Sequence, residues 1–267
     1  MNRDDRIQLV IDRLEKQGAC TYKELADSLQ VSTMTIRRDV EMLSRQGTIL
    51  KTVGGAQRLQ APLSLRETAV YSRLKVNRAE KRAIALRALE LVTPHATIFI
   101  DGSTTCLELA RGIAKEKNGL TIVTNSLLAC LELGKSGANT VIGIGGQYDS
   151  NSLCHVGPKA EDYANELFLD IAFVGTKALL PSEGTFESSV PTIRIKQIVA
   201  RRCTRLVLLV DHSKIGHRSL VKVLNINQIH TIVTDDQVQP ETRALLSSAG
   251  RELCIATRPA LESAMTA

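Results

Sequence analysis

Residues 97–114 read TIFIDGSTTCLELARGIA. Four strand-forming apolar residues run into the polar loop D-G-S-T-T, and a helical period begins near Thr105. The pattern recurs along the chain. Further strands are expected at 120–124, ending at Asn125 and Ser126; at 140–144, ending at Gly145 and Gly146; at 170–174, before Gly175; and at 206–210, before D-H-S-K from Asp211 to Lys214. Strands alternating with helical segments require parallel pairing and right-handed crossovers, so this region is expected to be an α/β domain built on a parallel sheet. In such a sheet the strand C-termini share one rim, and the polar and glycine residues that end the strands converge on one crevice.

The junction at 101–105 has the chemistry of an anion site. Free amides at a helix start carry about half a positive charge, and Ser103, Thr104 and Thr105 add hydroxyl donors. Plain turns share this composition, and the coincidence of several such strand ends is what favours a phosphate site. The loop lacks the three-glycine spacing of a dinucleotide fingerprint and the lysine that a P-loop places after its last glycine, which disfavours nucleotides.

The first 56 residues read differently, as three helices and a hairpin. A helix over about 5–17 carries the stripe Ile7, Val10, Ile11 and Leu14 and stops at Gly18. Thr21 and Glu24 have capping-box spacing and open a second helix ending near Gln30. Ser32 caps a third helix, 33–45, with Ile36, Val40 and Leu43 facing inward and Gly47 following it. The opposite face carries Met34, Arg38, Glu41 and Arg45, flanked by Thr35 and Arg37, with Thr33 nearer the core boundary. Ser32, Thr33, Met34, Thr35, Arg37 and Arg38 together have the chemistry of a major-groove reader. Residues 48–58, TILKTVGGAQR, suit a β-wing bearing Lys51. A small bundle with a solvated arginine face is the alternative; cap, turn, core stripe and polar face all favour DNA binding.

Residues 57–76 form a polar, Arg-rich stretch typical of a connector. The expected division is a DNA-binding domain at 1–57, a linker at 58–75 and a second domain at 76–267. The 267 residues are 43% hydrophobic, ample for two cores. Against 28 Asp plus Glu, the 34 Lys plus Arg leave +6, which favours anionic partners. No apolar run approaches the roughly 20 residues of a membrane span, and the start MNRDDRIQ lacks a secretory segment, so a cytoplasmic protein is expected. Six scattered cysteines without CxxC pairs read as reduced thiols, and the five histidines lack metal-ligand spacing, so neither metal nor cofactor is expected. Cys106 has no partner base and reads as a small filler. With 3% aromatics and no Trp, single-strand binding by stacked bases has little support.

The stretch V-S-T-M-T-I-R-R-D-V-E-M-L at 31–43, followed by G-G-A at 54–56, resembles the winged helix-turn-helix signature of DeoR-type bacterial transcription regulators. Where that family usually has Arg and His before the glycine pair, this chain has Lys51, Thr52 and Val53. The resemblance continues through K-x-x-x-A from Lys81, D-G-S-T-T from Asp101, T-N-S from Thr124, G-G at Gly145, D-I-A-F-V-G from Asp170, E-G-T from Glu183 and D-H-S-K from Asp211. It implies a second domain similar in fold to ribose 5-phosphate isomerase that binds a phosphorylated sugar or related metabolite and also oligomerises the chain. By the same resemblance Ser103, Thr104 and Thr105 hold the phosphate, with Lys81 and Lys214 as counter-charges. Asp101, Asn125, Asp170 and Asp211 bond the hydroxyls, and Gly102, Gly146 and Gly184 complete the ligand-binding positions.

The isomerases carry a second Asp and a catalytic Glu where this chain has Phe173 and Lys196. No catalytic residue is therefore assigned, and binding without turnover is expected. The expected function is a repressor whose hold on a double-stranded operator is controlled by a phosphorylated metabolite, working as a dimer or tetramer on half-sites about 34–36 Å apart or a multiple of that. The alternatives are an active sugar-phosphate isomerase with a DNA-binding extension, and an architectural protein whose second domain only oligomerises.

Overall fold

The computed structural model describes residues 3–45, 49–58, 70–249 and 251–257. Gly47, the Arg45 side chain and residues 59–69 of the expected linker lie outside what is described. The chain divides into two compact units, Met1–Pro62 and Leu63–Ala267.

In the first unit α1 (Arg3–Gln17), α2 (Tyr22–Leu29) and α3 (Thr33–Arg45) surround an apolar centre, with short strands β1 (Ala19–Thr21), β2 (Ile49–Lys51) and β3 (Gly55–Arg58) beside them. Both expected caps form. Thr21 Oγ1 accepts the Glu24 amide at 3.1 Å while the Glu24 carboxylate accepts the Thr21 amide at 2.7 Å, and Ser32 Oγ accepts the Thr35 amide at 3.1 Å. These bonds satisfy amides that a helix start otherwise leaves orphaned. Val10, Leu14, Leu25, Ile36, Val40 and Leu43 are buried together. The wing is larger than the expected hairpin, because β1 joins it in the antiparallel order β1-β3-β2. Gly55 makes this possible: a Cβ there would stand 2.1 Å from the Cys20 carbonyl oxygen. Asp39, hidden within the helical motif, accepts Arg6 Nε at 2.6 Å and ties α1 to α3.

The first described element of the second unit, within the expected linker, is α4 (Val70–Lys75), followed by α5 (Arg78–Leu89). Then come β4 (Thr97–Ile100), α6 (Thr104–Glu116), β5 (Thr121–Thr124), α7 (Leu127–Leu133) and β6 (Thr140–Gly143). After the hairpin β7 (Gln147–Asp149) and β8 (Cys154–Val156) lie α8 (Pro158–Glu166), β9 (Leu169–Gly175), β10 (Ala178–Leu180), β11 (Gly184–Glu187) and α9 (Ile193–Arg202). The remaining elements are β12 (Cys203–Leu209), β13 (Val221–Asn225), β14 (Thr231–Asp235), α10 (Pro240–Ser248) and β15 (Glu252–Ala256).

Seven strands form one sheet in the order β15-β14-β12-β9-β4-β5-β6, parallel at each pairing. Successive side chains of a strand point to opposite faces, and the core divides accordingly. Ile98, Ile100 and Phe173 pack with α5, α6 and α7, whereas Phe99, Ala172 and Val174 pack with α8, α9 and α10. The α/β class read from the sequence is the observed one. Strands β14 and β15 were not anticipated, nor was the antiparallel set β10-β11-β13, whose three- to five-residue strands carry too little period to read. Among the described residues no helix is long and apolar enough to cross a membrane.

Asp39→Ala should cost the first unit about 2–3 kcal/mol, because Arg6 would lose its charge partner against the core. Urea unfolding of the variant checks this; a loss below about 0.5 kcal/mol, the range of an ordinary surface change, would mean that the pair is dispensable.

Candidate functional site

The parallel order brings the C-terminal ends of β4, β5, β9, β12 and β14 to one rim. At the end of β4 the Asp101 amide donates to the Phe173 carbonyl at 3.0 Å, extending the ladder with β9, and Asp101 Oδ2 accepts the Gly175 amide at 3.0 Å. Ser103 caps α6, its Oγ accepting the Cys106 amide at 3.1 Å, and Thr104 and Thr105 are buried behind it. The loop fits closely. A Cβ at Gly175 would lie 2.3 Å from Ser103 Oγ, and one at Gly102 would lie 2.1 Å from Cys154 Sγ. Gly102 is thus required by packing against β8.

Beside this loop, at the end of β5, Thr124 Oγ1 donates to the Ile100 carbonyl at 2.6 Å, and Ser126 caps α7. Asn125 is 2% exposed and donates its Nδ2 to the His155 carbonyl at 3.1 Å, but its Oδ1 has no hydrogen-bond partner among the described residues. A buried carbonyl oxygen without a donor costs about 1–3 kcal/mol.

Beyond β12, Asp211 is fully buried. Its Oδ1 receives Asn77 Nδ2 at 3.0 Å and the Ser213 hydroxyl, and Oδ2 lies 3.2 Å from the Lys214 ammonium. Burial alone would raise its pKa. The Lys214 charge and the Ser213 and Asn77 donors outweigh burial and hold it at about 2.

Sequence reasoning missed the central cation of the rim. Lys196, noted only for the absence of a catalytic Glu, is buried on α9; its Nζ donates to the Gly175 carbonyl at 2.8 Å, bonds the Glu187 carboxylate and lies 3.4 Å from Asp101 Oδ2. Burial opposes its charge, but the two carboxylates prevail and push its pKa up. The signal was present, since Lys196 stands between Ile193 and Val199 at helical spacing on an apolar stripe. Phe173, at the other isomerase position, is a core residue.

Several expected site residues lie elsewhere or are otherwise engaged. Asp170 is the second residue of β9, at the opposite end of the sheet, where its carboxylate accepts the Thr97 amide at 2.7 Å; a strand's length separates it from the rim. Gly184 admits the close pairing of β11 with β13, a Cβ there falling 2.0 Å from the Leu224 carbonyl oxygen, and Gly146 packs against the Val156 carbonyl and Ala160. Lys81 is buried, with both described bonds, 2.6 Å each, going to the Arg73 and Val76 carbonyls. Burial, aided by the positive Lys214, lowers its pKa to about 8. Among the described residues, no group of three His, Cys, Asp or Glu could hold a metal.

In the first unit Ser32, Thr33, Met34, Arg37 and Arg38 are exposed, and Thr35 is half-buried. The Ser32 and Thr35 hydroxyls bond each other at 2.8 Å. The Arg37 guanidinium lies 5.2 Å from the Tyr22 ring centroid, within cation–π range, and Lys51 on β2 pairs with Glu41 of α3.

The family described as "DeoR-like helix-turn-helix domain" matches residues 6–61, and that described as "DeoR C terminal sensor domain" matches residues 76–236. The HTH-type transcriptional regulator GlpR of Haloferax volcanii is 31% identical, covering 92% of this chain and 95% of its own length. The glycerol-3-phosphate regulon repressor of Escherichia coli is 29% identical over 88% of this chain and 92% of its own. Among solved structures, ribose 5-phosphate isomerase A from Neisseria gonorrhoeae aligns with a TM-score of 0.39 and 19% identity, over 52% of this chain and 53% of that one.

The lowered pKa of Asp211 has a consequence for stability. The unfolded group titrates near 3.8 and the folded one at about 2, so its stabilisation is fully present above about pH 4 and is lost as pH falls through about 2. Asp211→Asn should therefore cost about 2 kcal/mol at pH 7 and less at pH 3 in urea unfolding. An equal gap at both pH values would contradict this account.

Proposed function

The chain belongs to the DeoR family of transcription regulators, and from that premise we propose that it is a repressor whose hold on its operator is set by a phosphorylated sugar or polyol bound at the rim of the parallel sheet. The observation that carries the effector class is the buried Asn125 Oδ1, without a donor among the described residues, beside the amide-rich start of α6. A ligand hydroxyl would supply that donor. The phosphate would take the α6 amides with Ser103, Thr104 and Thr105, and Lys214 would turn to it from Asp211. The Escherichia coli relative, named for glycerol-3-phosphate, supports the same ligand class.

Turnover would need a carboxylate free to accept a carbon-bound proton. Asp101 is engaged with Gly175 and Lys196, and Asp211 with Lys214, Asn77 and Ser213. The site therefore binds without catalysis, and a solvent proton-exchange assay should find no turnover.

On DNA, α3 enters the major groove. Arg38 reaches base edges or phosphate, and Arg37 is steadied by Tyr22. Ser32, Thr33, Met34 and Thr35 line the start of the helix, and Lys51 meets the backbone from the wing. A single winged helix reads few base pairs, so the working form is a homo-oligomer, dimer or tetramer, assembled through the second unit and acting in the cytoplasm.

A thermal-shift screen against phosphorylated sugars, polyols and deoxynucleosides tests the effector. A binder at 100 times its Kd adds about 2.7 kcal/mol of stability. No stabilisation by any phosphorylated compound would favour the purely architectural alternative. Arg38→Ala should weaken specific operator binding by about 1–3 kcal/mol if Arg38 reads a base, or flatten the salt slope by about one if it meets phosphate. A variant unchanged in both would remove Arg38 from the interface.

A further inference from the structure

Beside the rim, one side chain is engaged with a neighbouring helix and another with the turn at 211–214. Lys81 of α5 donates its ammonium to the carbonyls of Arg73 and Val76, at the C-terminal end of α4. Helix α4 has six residues, too few to hold together alone in water. Its other end is tied by the Val70 amide, which donates to the Asn151 carbonyl at 3.0 Å. Asn77, which precedes α5 with a left-handed φ of 49°, accepts the Lys81 amide at 3.0 Å on its carbonyl. Its side chain turns to the rim, donating to Asp211 Oδ1 and Ser213 Oγ at 3.0 Å each. Asp211 is in turn the ion-pair partner of Lys214.

From this geometry we infer that Asn77 and Lys81 form a latch between the turn at 211–214 and helix α4, so that an anion engaging Lys214 tightens α4. The inference rests on the rim being the phosphate site proposed above. Asp211 is the acceptor that Asn77, Ser213 and Lys214 share. A phosphate that draws Lys214 towards itself leaves Asp211 to bond Asn77 and Ser213 more strongly. It also neutralises the positive charge that repels the Lys81 ammonium, which then grips the α4 carbonyls more firmly. Lys81 thereby becomes a positioning residue that caps a helix, instead of a direct counter-charge to the ligand. The signal reaches the first described element of the second unit.

Hydrogen–deuterium exchange of the full-length protein, with inorganic phosphate and sn-glycerol 3-phosphate as probes, tests the latch. Without probe, Lys81→Met and Asn77→Gly should each speed exchange at 70–76 by about tenfold while leaving β4 and α6 as in the wild type. Glycine adopts the left-handed conformation of Asn77 without strain, so the second variant removes the side-chain bonds without forcing the backbone from its native conformation. Wild-type exchange at 70–76 in both variants would overturn the latch whatever the ligand. With probe, the wild type should show protection at 101–106 together with exchange at 70–76 slowed about threefold, and both variants should keep the first effect and lose the second. Protection at 101–106 with no change at 70–76 overturns the coupling alone. If Lys81→Met abolishes protection at 101–106, Lys81 is a direct ligand group and the inference fails. No protection at 101–106 in the wild type sinks the site reading and the coupling with it, while the probe-free arm still decides whether the latch exists.

Discussion

An ammonium group taken out of water is costly to bury unless charges and acceptors surround it, and Lys196 is surrounded by the Glu187 carboxylate, the Gly175 carbonyl and Asp101. The demand it makes organises the rim. Asp101 must face the end of β9, where it also takes the Gly175 amide. Residue 175 must lack a side chain, because Ser103 stands where its Cβ would be. Ser103 in turn caps α6 and fixes the direction of its free amides. Helix α9, β11, the end of β9 and the loop after β4 are thus held by one buried charge cluster. Each member is satisfied only while the others stay in place, since a lost partner leaves an uncompensated charge inside.

The two units place polar groups for different ends. At the rim most of them are buried and paired, the Asn125 Oδ1 excepted, which fixes their positions before any ligand arrives. On α3 and the wing they are exposed. Arg38 and Met34 are exposed, and the exposed Lys51–Glu41 pair contributes about 0–1 kcal/mol. Such groups can exchange solvent for DNA at little structural cost. The helix beneath them is held from its other face by Ile36, Val40, Leu43 and the Arg6–Asp39 pair.

What could be read in the sequence was what local rules dictate. The capping box at Thr21 and Glu24, the Ser32 cap, the inward stripe of α3 and the alternation of strand and helix each follow from periodicity or from the orphaned amides of a helix start. The topological rule for parallel sheets then carried Asp101, Asn125 and Asp211 to one rim. What escaped depends on partners distant in the chain. Asp170 shares a motif with rim residues but opens its strand, so it sits at the far end of the sheet. The resemblance offered Lys81 as a counter-charge to a ligand, and nothing near it in the chain said that it would be buried and meet carbonyls of α4. Asn77 and Glu187 carry no periodic signal, and their partners lie 134 and 9 residues away. Lys196 was legible as a lysine on an apolar stripe, but its significance appears only once Asp101 and Glu187 are brought to it.

A crystal structure of the protein grown with sn-glycerol 3-phosphate, or with whichever phosphomonoester stabilises it most, tests the central claim directly. The account predicts phosphate oxygens on the amides that open α6 and on the Ser103 and Thr104 or Thr105 hydroxyls, Lys214 turned towards them, and a ligand hydroxyl donating to Asn125 Oδ1. A phosphate bound away from the loop at 101–105, with Asn125 Oδ1 still lacking a donor, would contradict it.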